Sequence, residues 1–374
     1  MESLQVIRAL AFLGIFLSHS GVVEFSASGT WGVSVFFILS GFLMFRSYDS
    51  TERIKHYGIQ YSIKFGINKI KKLYSLHIVT MLLAMPWLVM SYIDYQSNDK
   101  ILIPIFKTVM NVFLLQSWIP NDNVYFSLNG VAWYLSVSLF LYIMFPFILH
   151  FMKKYRGRDT AIATIVIMLI FQFFMALLSN YFQMNLIHDN KFVRWFVYIF
   201  PASRLEDFFI GCNLGYIFKN IHKPKFSANR KLYTFFEIII ITIIIIQMSL
   251  FVIMITIPTK VDPTNTFSCW WGYTILWTVS SCILIYLFAK RSGKISTILT
   301  NRLLVFIGNM SANAFLIHQI VFRYLELIEL KIFGIKYVYA NIVVCFFVTM
   351  ICAYMWNKII NLFQHYKNGK QLNI

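Results

Sequence analysis

Charge is scarce in this chain, and acid is its scarcest form. Only 13% of the 374 residues are charged, with 15 Asp and Glu against 33 Lys and Arg. No stretch is long and polar enough to make a separate soluble domain. The five cysteines form no C-x-x-C pair. Cys212, Cys282, Cys345 and Cys352 fall within apolar runs and only Cys269 falls outside one, so neither a disulfide framework nor a thiolate metal site is expected. The motifs of familiar soluble chemistry are missing too: no P-loop, no GxGxxG, no HExxH and no GxSxG. Internal repeats are absent, which counts against an inverted-repeat transporter. Any chemistry must therefore use groups set among apolar segments.

Apolar segments are what the sequence has. Hydrophobic residues make up 59% of it, in long runs from end to end, which predicts an all-α polytopic transmembrane helical bundle of about ten spans. The expected spans are 4–23, 31–47, 73–92, 129–151, 160–178, 195–218, 232–256, 270–289, 303–325 and 337–360. The first is expected to be retained and not cleaved as a signal, because Glu2 stands where a basic cluster belongs and Arg8 and His19 interrupt the apolar region. Two segments depart from the pattern. Residues 52–72 are amphipathic and basic, an interfacial helix or a docking surface for an anionic cofactor. Residues 101–118, interrupted by Pro104 and Lys107, read as re-entrant or interfacial. The run 237–255 reads as lipid-facing scaffold.

A net charge of +18 could point to nucleic acid, but its distribution does not. With the N-terminus inside, the basic runs Lys64–Lys72, Lys153–Arg158, Lys219–Lys231 and Lys290–Arg302 all fall on the cytoplasmic side. The other side holds few cations, among them Lys107, Lys191, Arg194 and Arg323. This is the positive-inside asymmetry, and it puts both termini in the cytoplasm. The charge encodes orientation, with membrane lipid and not nucleic acid as the partner.

Against this background Arg8 and His19 stand out, since an ionisable group at the centre of a bilayer helix costs about 2.5–3.5 kcal/mol on insertion scales. Eleven residues at 100° each return to nearly the same face, with roughly 16 Å between the two along the axis. A snorkelling Arg and a capping His are the bland alternative. Ser40-Gly41 interrupt a bulky span and suit close helix packing. Arg204 and Asp207, three apart, read as a neutralised buried pair. His318 follows Gly308 and Ser311 and reads as an interhelical hydrogen-bonding group, and Trp133 as part of an aromatic belt. His19 is the natural base, because imidazole accepts and returns a proton near neutrality.

Several of these motifs coincide in one family. The chain resembles the membrane-bound acyltransferase 3 family, whose bacterial members O-acylate cell-envelope polysaccharides. Arg8 and His19 resemble its Arg-(ten residues)-His signature. WGVSVFFILSGFLMF is similar to its G-V-x-x-F-F-x-x-S-G-F-L segment, NKIKKLYSL to its basic stretch, and WYLSVSLFLYIMFP to its W-x-L-S-x-E span. RLEDFFIG is similar to R-L-x-E-F-x-x-G, and IGNMSANAFLIH to G-x-x-S-Y-x-x-Y-L-x-H. The matches run in family order from residue 8 to about residue 320. Ser138 stands at the family's Glu, Lys69, Lys71 and Lys72 at its arginines, Ser75 at its Pro, and Ala312 and Phe315 at its tyrosines.

The resemblance implies a single integral-membrane acyltransferase domain over 1–374, with no fused soluble domain, in the bacterial cytoplasmic membrane. It implies transfer of an acyl group, acetyl above all, from cytoplasmic acyl-CoA to a hydroxyl of an envelope polysaccharide or its lipid-linked precursor. No tightly bound cofactor and no metal are expected. Arg8 with Lys64, Lys69, Lys71 and Lys72 would hold the donor, with Ser40 and Gly41 counted beside them. His19 and Arg8 would be catalytic, with His19 oriented by Asp207 or Glu24 and with Trp133, Arg204, Ser311 and His318 in support. A carrier or flippase for an acyl group or lipid-linked sugar is the alternative, and a structural component of an assembly complex a third.

Overall fold

The computed structural model describes residues 2–49, 54, 57–93, 102–182, 190–220, 229–256, 274–332 and 338–371. Arg53, Lys55, Lys100, Lys223, Lys225, Lys260, Cys269 and Lys336 lie outside the described residues. Among the described residues all regular structure is helical. The helices are α1 (Glu2–Ser18), α2 (Ser26–Tyr48), α3 (Ile59–Ile93), α4 (Leu102–Val112), α5 (Asp122–Tyr125), α6 (Trp133–Lys154) and α7 (Arg158–Phe182). They continue as α8 (Asn190–Arg194), α9 (Leu205–Asn220), α10 (Arg230–Thr256), α11 (Ile275–Lys290), α12 (Lys294–Leu299), α13 (Arg302–Ile332) and α14 (Val338–Gln371). Among the described residues, seven helices are long and apolar enough to cross a membrane. Helices α1, α9 and α11, with 17, 16 and 16 residues, are shorter.

Two expected spans change shape. The first ends at Ser18, five residues before its expected limit, and the chain turns through Gly21 at φ +82° into a short 3-10 turn, Val23–Phe25. Glycine takes that left-handed conformation without a Cβ penalty. The expected span 195–218 is broken. A π-helical turn, Trp195–Ile199, meets extended Phe200, and Pro201 opens the 3-10 turn that leads into α9. Proline pushes the residue before it out of the helical region, which accounts for the break. The basic segment 52–72 is likewise no separate interfacial helix, because from Ile59 onward it is continuous with the following span. At 1.5 Å per residue α3 is about 52 Å long, more than the hydrocarbon core, so its basic first turns can stand clear of it. Of the segment 101–118, the described residues from Leu102 onward form the 11-residue α4 and a 3-10 turn, too short to span.

Burial sorts the helices. The apolar windows of α2 and α13 are 67% and 61% buried, whereas those of α7, α10 and α14 are 22% buried. The outer three present Ile167, Ile170, Ile238, Ile245, Ile246 and Phe347 outward, as a lipid-facing layer requires. Glu237 is an exception within the scaffold run. It is fully buried, and its Oε2 accepts backbone N–H from Ile295 at 2.9 Å and Ser296 at 3.3 Å, capping α12.

Helix α2 runs back beside α1 and against α9. A Cβ at Gly41 would overlap the Phe208 carbonyl, and one at Gly211 the Ile38 carbonyl, so the two glycines let these backbones meet. At the Glu2 end of the bundle, Asp49 accepts from Arg156 at 2.8 Å and from Lys219 at 2.7 Å, while Arg291 lies 3.6 Å from Glu2. Lys69 sits 4.5 Å above the Tyr48 ring at that same end. The basic runs that the sequence assigns to one side thus gather at one end of the bundle. The opposite end carries His19.

Between the two ends, α7, α9 and α11 are pinned by buried polar groups. Arg204 donates from Nη1 to Asp207 Oδ2 at 2.9 Å and from Nε to the Tyr198 carbonyl at 3.0 Å. Gln172 donates to Asp207 Oδ1 at 2.9 Å and Thr278 donates to the same oxygen at 3.2 Å. Both charged side chains are fully buried. Removing one member of such a pair leaves an uncompensated charge, whereas replacing both by apolar groups is often neutral. Asp207→Asn is expected to cost about 3–5 kcal/mol, and the combination with Arg204→Met to recover much of it, read as thermal midpoints in detergent. Gly211→Val should separate α2 from α9 at a cost of about 1–3 kcal/mol, measured in the same assay.

Candidate active site

His19 is placed by the way α1 ends. A helix leaves its last carbonyls without intrahelical partners, and here the next residues take them up. Ser18 Oγ donates to the Ile15 carbonyl at 2.7 Å, His19 N to Phe16 at 3.2 Å, and Ser20 Oγ to Leu17 at 2.6 Å. His19 Nδ1 lies 2.8 Å from the Ile15 carbonyl as well. A carbonyl only accepts, so this contact places the proton on Nδ1.

The second imidazole comes from the middle of α13. His318 is fully buried, its Nδ1 is 2.7 Å from the Phe315 carbonyl and its Nε2 is 3.2 Å from His19 Nδ1. The same reasoning gives His318 a protonated Nδ1 and an accepting Nε2. The His19 Nδ1–H is then shared between the Ile15 carbonyl and His318, and His19 Nε2 keeps its lone pair. Among the described residues that nitrogen has no hydrogen-bond partner. Phe12, Phe16 and Phe322 surround His318, with centroids 6.2, 6.1 and 6.5 Å away. This wall of rings holds it in one orientation.

His19 opens onto a cavity of about 520 Å³. Its polar lining comprises Ser18, His19, Ser26, Thr30, Tyr198, Gln319 and two arginines, Arg194 and Arg323, set against Trp133, Phe126 and Phe315. The volume lies in the range of small-molecule sites. Gln319 also accepts the Val131 N–H at 3.1 Å, which ties the cavity floor on α13 to the turn before α6. That turn is held from its other side by Asn129, which donates to the Leu316 carbonyl at 2.8 Å.

The expected site residues divide. Trp133 lines the cavity, and His318 touches His19. Neither Asp207 nor Glu24 orients the imidazole: Asp207 is committed to Arg204, Gln172 and Thr278, and Glu24 is exposed in the 3-10 turn. Ser311 donates to the Gly308 carbonyl one turn back, at 2.7 Å. Arg8 is half-buried on α1, about 16 Å along the axis from His19. It acts electrostatically on Tyr134, as Arg204 does. The Tyr134 ring stacks on Phe37 at 4.5 Å and meets Phe315 at 5.1 Å, and Phe315 lines the His19 cavity. Ser40 is 3.3 Å from the Tyr142 hydroxyl, and Gly41 serves the contact with α9. Lys64, Lys71 and Lys72 are exposed on α3 and Lys69 is half-buried. All four lie toward the Glu2 end, away from His19.

Sequence reasoning missed Arg194, Arg323, Gln319 and Tyr198. No motif joins them, since they come from α8, α13 and the π turn and meet only in the folded bundle.

Comparison with known proteins identifies the family. A family model described as an acyltransferase domain matches residues 1–361. The acyltransferase MdmB of Streptomyces mycarofaciens is 26% identical over 243 residues, covering 59% of this chain and 58% of that protein. The O-acetyltransferase OatA of Staphylococcus aureus is 22% identical over 330 residues, covering 85% of this chain and 50% of OatA. A putative O-acetyltransferase from another Staphylococcus aureus strain is 24% identical over 345 residues, or 87% of this chain and 51% of that protein. The chain therefore spans between half and three-fifths of the length of these relatives. No solved structure matches. A match over nearly all of the chain is decisive: the chain belongs to the acyltransferase 3 family.

Proposed function

We propose that the protein transfers an acyl group, most simply acetyl, from cytoplasmic acyl-CoA to a hydroxyl of an envelope glycan or its lipid-linked precursor. The observation that carries this reading is the His318–His19 contact, which leaves His19 Nε2 as a free base facing a cavity. Membership of an acyltransferase family supplies the class of reaction, and the relatives named as O-acetyltransferases favour a hydroxyl acceptor and an acetyl group.

The charge distribution supports an orientation. The Glu2 end, with Lys69, Arg156, Lys219 and Arg291, faces the cytoplasm, and the His19 end faces outward. The anionic head of the donor would meet the basic end, with Arg8 further along the path, and its thin pantetheine arm would carry the thioester toward His19.

His19 Nε2 removes the proton from the acceptor hydroxyl as its oxygen bonds to the thioester carbonyl carbon. The C–S bond then breaks, the acyl group stays on the acceptor oxygen, and the proton passes from His19 to the leaving thiolate. As positive charge builds on His19 during this exchange, its Nδ1–H is already shared by the Ile15 carbonyl and His318, so the ring need not turn to find partners.

His19→Ala should insert and purify normally yet lose about 10²–10⁴-fold in ester formation from labelled acetyl-CoA; near-normal transfer by that variant would sink the assignment. Arg8→Ala is expected to raise the KM for acyl-CoA more than it lowers kcat. An unchanged KM would remove Arg8 from donor binding.

A further inference from the structure

The cavity around His19 carries charge of one sign. Arg194, the last residue of α8, and Arg323 of α13 line it, and among the described residues no Asp or Glu does. Its neighbour, a cavity of about 590 Å³, shares Phe126 and Arg323 with it but sets Lys107 and Arg323 against Asp122 and Glu326. Acid is thus present nearby and is kept out of the His19 cavity. Asp122 is paired with Lys191 at 2.9 Å.

Neither arginine is neutralised by a carboxylate among the described residues. Arg323 donates from Nη1 to the Leu128 carbonyl at 2.6 Å. Arg194 lies over the Phe126 ring, with its guanidinium carbon 5.2 Å from the centroid. A guanidinium has five N–H donors in a rigid fork, so both retain donors for a ligand. Their charges also reach His19. Two guanidiniums line one cavity beside a base with no carboxylate in its described lining, so the cavity presents positive potential to whatever enters it.

We infer that the acyl acceptor is an anionic glycan, one whose carboxylate or phosphodiester is held by Arg194 and Arg323 while a hydroxyl faces His19 Nε2. The inference rests on the acyl-transfer reading and deepens it by naming the acceptor's class. A guanidinium fork matches planar carboxylate and tetrahedral phosphate alike. The anion can therefore belong to the glycan polymer itself or to the diphosphate of a polyprenyl-linked precursor. If the arginines instead stabilised only the tetrahedral intermediate, they would favour charged and neutral acceptors equally.

The test gives labelled acetyl-CoA and host envelope glycans to membranes carrying the full-length protein. Ester label per unit glycan is measured in material that anion exchange retains and in neutral material. Lipid extraction separates polyprenyl-diphosphate-linked glycans from polymer. Retained material should exceed neutral material by about tenfold or more, the worth of a charge-assisted contact. In R194Q/R323Q the ratio should fall toward one, with R194K/R323K between the two. Arg194 is exposed, so R194Q alone keeps the test open if the double variant does not fold. Label in the lipid extract assigns the anion to the diphosphate, and label in the polymer assigns it to the glycan. Equal labelling of retained and neutral material, or a ratio unchanged in R194Q/R323Q and R194Q, would overturn the inference. No label in any fraction would overturn the acyl-transfer reading itself.

Discussion

The site depends on where α1 stops. A helix leaves its last carbonyls without intrahelical partners, and here the residues that follow take them up at the end of the bundle. Ser18, His19 and Ser20 do this with their own side chains, and Gly21 turns the chain away. His19 is thereby bound at Nδ1 by its own helix end. The requirement that orders the backbone also sets the tautomer of the imidazole and frees its other nitrogen.

The rest of the bundle keeps that helix end in register. Gly41 and Gly211 bring α2 and α9 into backbone contact, and a Cβ at Gly308 would overlap the Gln5 carbonyl, so α13 lies equally close to α1. Close approach along α1 and α13 puts His318 beside His19, although 299 positions separate them. The Arg204–Asp207 network then fixes the broken helix whose π turn supplies Tyr198 to the cavity. Packing glycines and a buried ion pair thus act on the chemistry through position.

Much of this was legible from residue order. Apolar runs located most of the helices, since a bilayer-length segment needs no tertiary partner to be recognised. Arg8 and His19 stood out because ionisable groups are costly in such a run, and Arg204 with Asp207 read correctly as a buried pair from their spacing. The two errors in the spans share a cause. Hydropathy does not register a chain that turns while still apolar, so the first span was drawn past Ser18 and the span around Pro201 drawn unbroken. His19 was assigned an acidic partner because carboxylates are the usual orienters, whereas its partners are a carbonyl and a second histidine.

The sequence by itself determined the class of the protein, the approximate positions of its helices, the end of the bundle that gathers its basic runs, and the family that the Arg8 and His19 spacing resembles. These follow from local quantities: hydropathy over a window, charge along the chain, and residues a fixed number of positions apart. Only the tertiary structure decided that His318 lies against His19, that Asp207 and Glu24 do not, and that Arg194 and Arg323 line one cavity with His19. Those relations join side chains from helices far apart in the chain. Their distances depend on how closely the backbones pack, which no single segment carries.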